Sequence, residues 1–234
     1  MAQFGLSIAP FHIDVNSAQY RLLQKLCSLL LSENTKSNLT AIRDTEGVWR
    51  KHFIDSLSCA LALSFDDGKE VIDVGSGAGF PALPLAICFV HSRFTCLEAT
   101  AKKAAFIQLA VHELGLNNVS VCNERAETAG HLPAMRQNYD LVLSRAVAKT
   151  AVLAELCLPL CKINGYWLTQ KDAKASLEIA QGQKAVTMLG GSLKESIKIS
   201  IDGQERLLNV YTKVKKTPLA YPRRDGLPAQ NPLQ

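Results

Sequence analysis

Beyond "FDDGKE", residues 65–70, short β-rich runs alternate with helical ones, and that rhythm leaves few architectures open. The runs are "EVIDVG", "RFTCLEA", "VSVCNE", "YDLVLSRA", "GYWLTQK", "GSLKESIKIS" and "ERLLNVYTKV". Between the first five, helices are predicted at residues 81–90, 102–115 and 150–160, with a shorter one near Glu127. Another, 173–189, follows the fifth run. Strand–helix–strand crossovers set neighbouring strands parallel and cover both faces of the sheet. The last two runs have only "IDGQ" between them, and Asp202-Gly203 is a strong hairpin turn. The expected fold is therefore α/β, a mostly parallel sheet ending in an antiparallel hairpin.

Two helical stretches precede this unit. Residues 17–32 place Leu22, Leu23, Leu26, Leu29 and Leu30 on or near one face. After a polar connector at 38–44, Asp44 or Thr45 is positioned to cap a helix through "VWRKHFIDSLSCALAL". The chain divides into an N-terminal helical extension (1–66), a main domain (67–216) and a basic, proline-rich tail (217–234). Pro218, Pro222, Pro228 and Pro232 prevent the tail from continuing a strand, so it is expected on the surface.

The 234 residues are 47% hydrophobic, enough for a real core. No window reaches the roughly 18 consecutive apolar residues of a membrane span, and "MAQFGLSIAPFHIDV" lacks a basic segment followed by an apolar one. Seven scattered cysteines suit buried thiols in a reducing cytoplasm better than a disulfide framework. Cys157 and Cys161 lie one helical turn apart with no second pair to complete a metal set, so no metal site is expected. The net charge of +5 is compatible with a nucleic-acid partner and does not establish one. Lys213, Lys215, Lys216, Arg223 and Arg224 gather near the C-terminus, with Arg50 and Lys51 in the N-terminal third; a solvated charged edge is the plainer explanation of both.

The stretch "VIDVGSGAGFPALPLA", residues 71–86, puts Gly75, Gly77 and Gly79 between a strand and a helix. An open parallel sheet binds ligands there, beyond the carboxyl ends of its strands. The spacing is G-x-G-x-G with Phe80 in the sixth position, so the dinucleotide fingerprint fails. Asp73, just before the loop, disfavours a pyrophosphate and favours a ligand carrying ammonium or sulfonium charge. That directs the reading away from a nicotinamide cofactor and toward S-adenosylmethionine, although Asp73 could instead only accept loop N–H bonds. Glu98, at the end of the second strand, is placed to accept hydrogen bonds from both ribose hydroxyls, or is simply a surface acid. One loop later, Ala126 and Glu127 place backbone N–H groups near an adenine edge. Arg145, after the fourth strand, is placed to hold a cofactor carboxylate or a substrate phosphate, unless it is merely paired at the surface.

The order "NLTAIRD", "RKHFIDSL", "VIDVGSGAGFPALPLA", "LEATAKKAAFIQ", "ERAE", "YDLVLSRAVA" and "TPLAYPRRDGLPAQNPL" resembles the bacterial small-subunit rRNA methyltransferase family RsmG, also called glucose-inhibited division protein B. The resemblance runs from about residue 38 to the C-terminus. It implies a class I S-adenosylmethionine-dependent methyltransferase fold that methylates N7 of a guanine in 16S rRNA. It also implies cofactor contacts from Gly75, Phe80, Ala126, Glu127 and Arg145, with Glu98 through Thr100 flanking the ribose and adenine. Asp73 and Gly77 complete the expected cofactor set.

Guanine N7 carries a free lone pair, so no proton must leave before attack and no general base is required. The base must be unpaired or splayed, because A-form RNA buries its N7 edge in a deep, narrow groove. Arg50, Lys51, Lys102, Lys103, Arg145, Lys171 and the C-terminal basic cluster (Lys213, Lys215, Lys216, Arg223 and Arg224) are candidates for a phosphate-facing rim. His52 and Asp55 either line the entrance or serve packing and capping. The expected partner is 16S rRNA or the small ribosomal subunit, an assembly intermediate included, and a cytoplasmic monomer is expected. The competing readings are a methyltransferase acting on a small molecule or protein, a non-catalytic RNA-binding module, and a nicotinamide oxidoreductase.

Overall fold

Successive side chains of a strand point to opposite faces, and here that alternation divides the interior into two layers. Val71, Leu141 and Leu143 face one core while Ile72, Val74 and Val142 face the other. The computed structural model describes residues 15–145 and 148–234, arranged about one seven-stranded sheet. The expected reading of residues 1–14 and of Ala146 lies outside the described residues.

The strands are β1 (Glu70–Val74), β2 (Arg93–Leu97), β3 (Val119–Cys122), β4 (Tyr139–Ser144), β5 (Cys161–Asp172), β6 (Gly191–Ile201) and β7 (Gln204–Lys213). Their order across the sheet is β3-β2-β1-β4-β5-β7-β6. β1 to β5 pair in parallel, whereas β7 runs antiparallel to both β5 and β6. The hairpin turns at Asp202 and Gly203, both with positive φ. The parallel sheet closed by an antiparallel hairpin is thus the one the sequence predicts.

In chain order the helices are α1 (Ser17–Ser37), α2 (Thr45–Val48), α3 (Asp55–Leu57), α4 (Ala82–Cys88), α5 (Ala101–Leu114), α6 (Ala126–Ala129), α7 (Thr150–Cys157), α8 (Ser176–Met188) and α9 (Leu227–Gln230). Asn16 caps α1 by accepting from Ala18 and Gln19 N–H, while the Gln19 side chain caps back on Asn16 N–H. Leu23, Leu26, Cys27 and Leu30 bury its apolar face in the same core as α4 and α5. The helix runs on to Ser37 because Asn34, though polar, is buried and bonded. Its amide donates to the carbonyls of Thr40 and Ile42 and accepts from Thr40 N–H. Asn38 then ends the helix in the left-handed region, at φ 46°.

The single helix expected after Asp44 is instead interrupted. Asp44 does cap it, accepting from Gly47 N–H at 2.7 Å. From Trp49 to Ile54 the chain widens into a π-helical stretch, and Ser58–Leu61 tightens into a 3₁₀ turn. The wider turn buries Trp49, Phe53 and Ile54 together while laying His52 against Phe80.

The C-terminal tail follows the surface, as expected, but is pinned there. Arg136 donates to the carbonyls of Gly130, Thr217, Pro218 and Tyr221, and Gly226 N–H donates to the Glu127 carboxylate at 2.9 Å. Two of the expected basic-rim residues are corrected here. Arg223 bonds the fully buried Glu155 through its backbone N–H, Nε and Nη2, which commits it to holding the tail. Lys213 is fully buried and donates to the Leu189 carbonyl, and burial lowers its pKa to about 7. Removing one partner of a buried ion pair leaves the other uncompensated. Glu155→Ala is therefore expected to cost about 3 kcal/mol of stability, read from the urea midpoint. Arg224→Ala, at an exposed position, is expected to stay within about 0.5 kcal/mol of the parent.

Candidate active site

The loop after β1 is fastened to the end of β2. The Leu97 carbonyl accepts from Gly75 N–H at 2.8 Å and Ser76 N–H at 3.1 Å. Gly75 and Gly77 have φ of 74° and 60°, and a Cβ on either would meet nothing within 4 Å, so the loop presents an open face. Gly79 differs: a Cβ there would lie 2.4 Å from Leu83 Cδ1, so this glycine lets α4 pack closely.

Glu98 joins two loops. Its Oε2 accepts from Gly77 N–H and its Oε1 from Thr100 N–H, each at 2.8 Å. Each carboxylate oxygen retains a lone-pair direction for a further donor. Asn123 steadies the same turn by donating to the Glu98 carbonyl at 2.8 Å. Asp73 accepts a backbone N–H from the start of α4 rather than from the loop. Its Oδ2 accepts from Ala82 N–H at 3.3 Å, and its Oδ1 is buried with no partner. Burial raises its pKa to about 7 despite that N–H bond and the charge of Arg145.

Ala126 opens α6. The Glu127 side chain turns away to the tail at Gly226, leaving backbone groups as what this position offers a ligand. On the opposite side of the loop, Arg145 is held by three acceptors. Nη1 donates to Asp55 Oδ2 at 3.0 Å and to the Lys51 carbonyl at 3.2 Å, and Nη2 donates to His52 Nδ1 at 3.2 Å. Its guanidinium carbon lies 5.6 Å from the Phe80 ring centre, and His52 stacks on the same ring at 4.4 Å.

Arginine only donates, so His52 Nδ1 must accept and Nε2 must carry the proton, donating to Thr40 Oγ1 at 2.9 Å. Burial and the Arg145 charge lower the His52 pKa to about 3, so the ring is neutral near pH 7. His52 and Asp55, expected from the sequence to line an entrance or to pack and cap, take a third part in the structure: they hold Arg145 beside the glycine loop.

Of the remaining rim candidates, Arg50, Lys51 and Lys102 are exposed and Lys103 is half-buried. Lys171 is corrected. It is buried, donating to the Ala148 carbonyl and pairing with Glu178 at 3.0 Å, so its ammonium is already committed where the residue joins the lining of a neighbouring cleft. An open cleft of about 380 Å³ lies at the carboxyl ends of β4 and β5, lined by Lys51, His52, Asp55, Arg145, Gln170 and Asp172 among others. Gln170 and the nearby Arg206, 3.6 Å from Asp55 Oδ1, were not among the sequence candidates. Gln170 reaches this edge on β5 itself, and the register pairing Asp172 with Arg206 brings Arg206 beside it.

The unfolded Asp73 carboxyl titrates near 3.8 and the folded one near 7. Between these values the folded state holds the extra proton, so stability falls as pH rises through that window. Asp73→Asn is expected to remove this slope, on the order of 1 kcal/mol per pH unit, and to exceed the parent in stability at pH 8. Parallel slopes for the two proteins in pH-dependent urea titrations would contradict this.

Comparison with known proteins gives one consistent result. The family described as GidB, rRNA small subunit methyltransferase G, matches residues 19–208. A protein named ribosomal RNA small subunit methyltransferase G from Geobacillus sp. strain WCH70 is 40% identical over 100% of this chain and 99% of its own. Its namesake from Bacillus subtilis strain 168 is 39% identical over 100% of this chain and 96% of its own. Among solved structures, a SAM dependent methyltransferase from Aquifex aeolicus superimposes with a TM-score of 0.55 at 15% identity, covering 78% of this chain and 98% of that one. Methanogen TYW2 (M. jannaschii), solved with AdoMet, gives 0.52 at 16%, covering 64% and 71%. These distant structures share the fold, a class I methyltransferase sheet. With the family matched over most of its length and full-length relatives near 40% identity, the chain belongs to the GidB family of small-subunit rRNA methyltransferases.

Proposed function

We propose that this enzyme transfers a methyl group from S-adenosylmethionine to N7 of an exposed guanine in small-subunit ribosomal RNA. The observation that carries the reading is the Glu98 carboxylate, which spans Gly77 and Thr100 beside the open faces of Gly75 and Gly77. That arrangement fits an adenosine. Glu98 would receive the ribose hydroxyls, and Ala126 leaves room for a flat ring. When bound, S-adenosylmethionine supplies a sulfonium-activated methyl carbon open to attack by a lone pair.

The protein's own contribution is alignment and field. Asp73, with its orphan Oδ1, places negative potential under the loop where a cationic ligand is favoured. His52 supplies no proton near pH 7 because it is neutral and its one N–H is held by Thr40. An N7 nucleophile loses no proton on attack, so it makes no demand on His52 as a base. Arg50, Lys51, Lys102, Lys103, Lys215, Lys216 and Arg224 are the cations left to meet phosphate once Arg223, Lys213 and Lys171 are committed inside the fold.

Three measurements follow. Small-subunit RNA from cells lacking this enzyme should accept labelled methyl, mapping to N7 of one guanine. Label at another atom, or label independent of RNA, would overturn the reading. Glu98→Ala should weaken S-adenosylmethionine binding about 10- to 100-fold, since a hydrogen bond to a charged group contributes roughly 1.5–3 kcal/mol; unchanged calorimetric affinity would count against it. Charge reversal at Lys102 and Arg224 should weaken RNA binding and flatten its salt dependence while sparing cofactor affinity.

A further inference from the structure

The cleft at the carboxyl ends of β4 and β5 contains two buried acceptors that accept nothing. Asp55 Oδ2 takes Arg145, but Asp55 Oδ1 has no hydrogen-bond partner, and the residue is 8% exposed. Gln170, 5% exposed, leaves Oε1 equally unpartnered. Its amide orientation is fixed by its neighbours. Nε2 donates to the Asp55 carbonyl at 2.7 Å and to Ser58 Oγ at 3.1 Å, and Ser58 Oγ itself donates to the Asp55 carbonyl. Turning the amide over would set its oxygen against a carbonyl oxygen.

A buried polar atom without a partner costs about 1–3 kcal/mol, and folded proteins keep few of them. Two acceptors of this kind line one cleft of about 380 Å³, beside Lys51, His52 and Arg145. Arg206 stands 3.6 Å from Asp55 Oδ1 and 3.7 Å from Asp172 Oδ2. Those are charge contacts beyond hydrogen-bond length; the hydrogen bonds Arg206 makes are to the Gln204 side chain at 2.9 Å and the Glu205 carbonyl at 3.3 Å, so drawing back from Asp55 breaks no hydrogen bond to it.

What would satisfy a carboxylate oxygen and an amide oxygen carried by two residues of one cleft lining is a ligand with two adjacent donors. Among the RNA bases, guanine presents such a pair on its Watson–Crick edge, N1–H and the N2 amino group. Enzymes that modify a base read that edge after taking the nucleotide out of its stack. N7 lies on the far side of the purine from N1 and N2. A guanine whose donor edge meets Asp55 and Gln170 therefore turns N7 back across the cleft, toward His52, Phe80 and the glycine loop.

We propose that this cleft receives the target nucleotide, and that Asp55 and Gln170 are the residues that select guanine by accepting from N1–H and the N2 amino group. The proposal rests on the N7-methylation reading above and adds to it the residues that determine base choice. Arg145 serves twice, holding the Asp55 carboxylate in place and setting positive charge beside the nucleotide's phosphate.

Replacing guanosine by inosine at the target tests this in the unaltered enzyme. Inosine keeps N7, O6 and N1–H and lacks only the N2 amino group. Its loss leaves a buried acceptor unpaired, so kcat/KM for the inosine RNA should fall at least about tenfold, the equivalent of about 1.4 kcal/mol. In whichever of Asp55→Asn and Gln170→Met removes the acceptor of the N2 amino group, the ratio of guanosine to inosine kcat/KM should shrink toward one, and Gln170→Met should leave S-adenosylmethionine affinity unchanged by calorimetry. A role confined to supporting the fold would lower both substrates equally. Methylation of inosine RNA as efficient as that of guanosine RNA overturns this proposal alone, as does a preference that persists in both variants. Absence of transfer to guanosine RNA overturns the N7 reading together with it.

Discussion

Two short loops at the top of the sheet depend on one carboxylate. Glu98 draws Gly77 N–H from the loop after β1 and Thr100 N–H from the loop after β2 onto its two oxygens. The Leu97 carbonyl ties down Gly75 and Ser76 from the other side. Glycines at positive φ are conformationally permissive, so a loop built on them needs such ties to keep one shape. The result is a preorganised loop whose backbone is already bonded and whose Gly75 and Gly77 positions present an open face without Cβ. Asp73 beneath it remains partly unsatisfied, a cost that a cationic ligand would relieve.

The helical extension takes part in this site. Asn34 in α1 fixes the Thr40 turn, Thr40 receives the His52 N–H, and His52 presents Nδ1 to Arg145. Each link has one polarity, since arginine cannot accept and a neutral imidazole has one donor and one acceptor. Low local pKa therefore serves geometry. A protonated His52 would turn an N–H against the guanidinium it now holds. The tail plays the matching part on the adenine side, where Glu127 spends its carboxylate on Gly226 and Arg125 lies 3.5 Å from Asp225. The helical extension and the tail thus each hold elements beside the glycine loop and α6.

Much of this was legible in the sequence. Alternating strand and helix periods gave the parallel sheet, and Asp202-Gly203 gave the hairpin, because both signals are local. Gly75, Gly77 and Glu98 could be placed because they sit at strand ends, where topology fixes position. The fates of Lys171, Lys213 and Arg223 could not be read, since a basic residue's exposure depends on distant partners. Glu155 lies 68 positions from Arg223 in sequence. The π-helical turn at Trp49–Ile54 was hidden for a similar reason. Its widening answers the packing of Phe53 and His52 on Phe80, a tertiary contact that no helical period encodes. Arg206 was missed because it reaches the site only through the pairing of β7 with β5, and Gln170 because its bonds to Asp55 and Ser58 are tertiary contacts with the helical extension.

The most direct measurement of the central claim is a crystal structure of the enzyme grown with S-adenosylmethionine. The account predicts adenosine density between the glycine loop and Ala126, with both ribose hydroxyls within hydrogen-bond distance of the Glu98 carboxylate. An empty cleft at saturating ligand, or a ribose bound elsewhere with Glu98 still holding only Gly77 and Thr100, would contradict it.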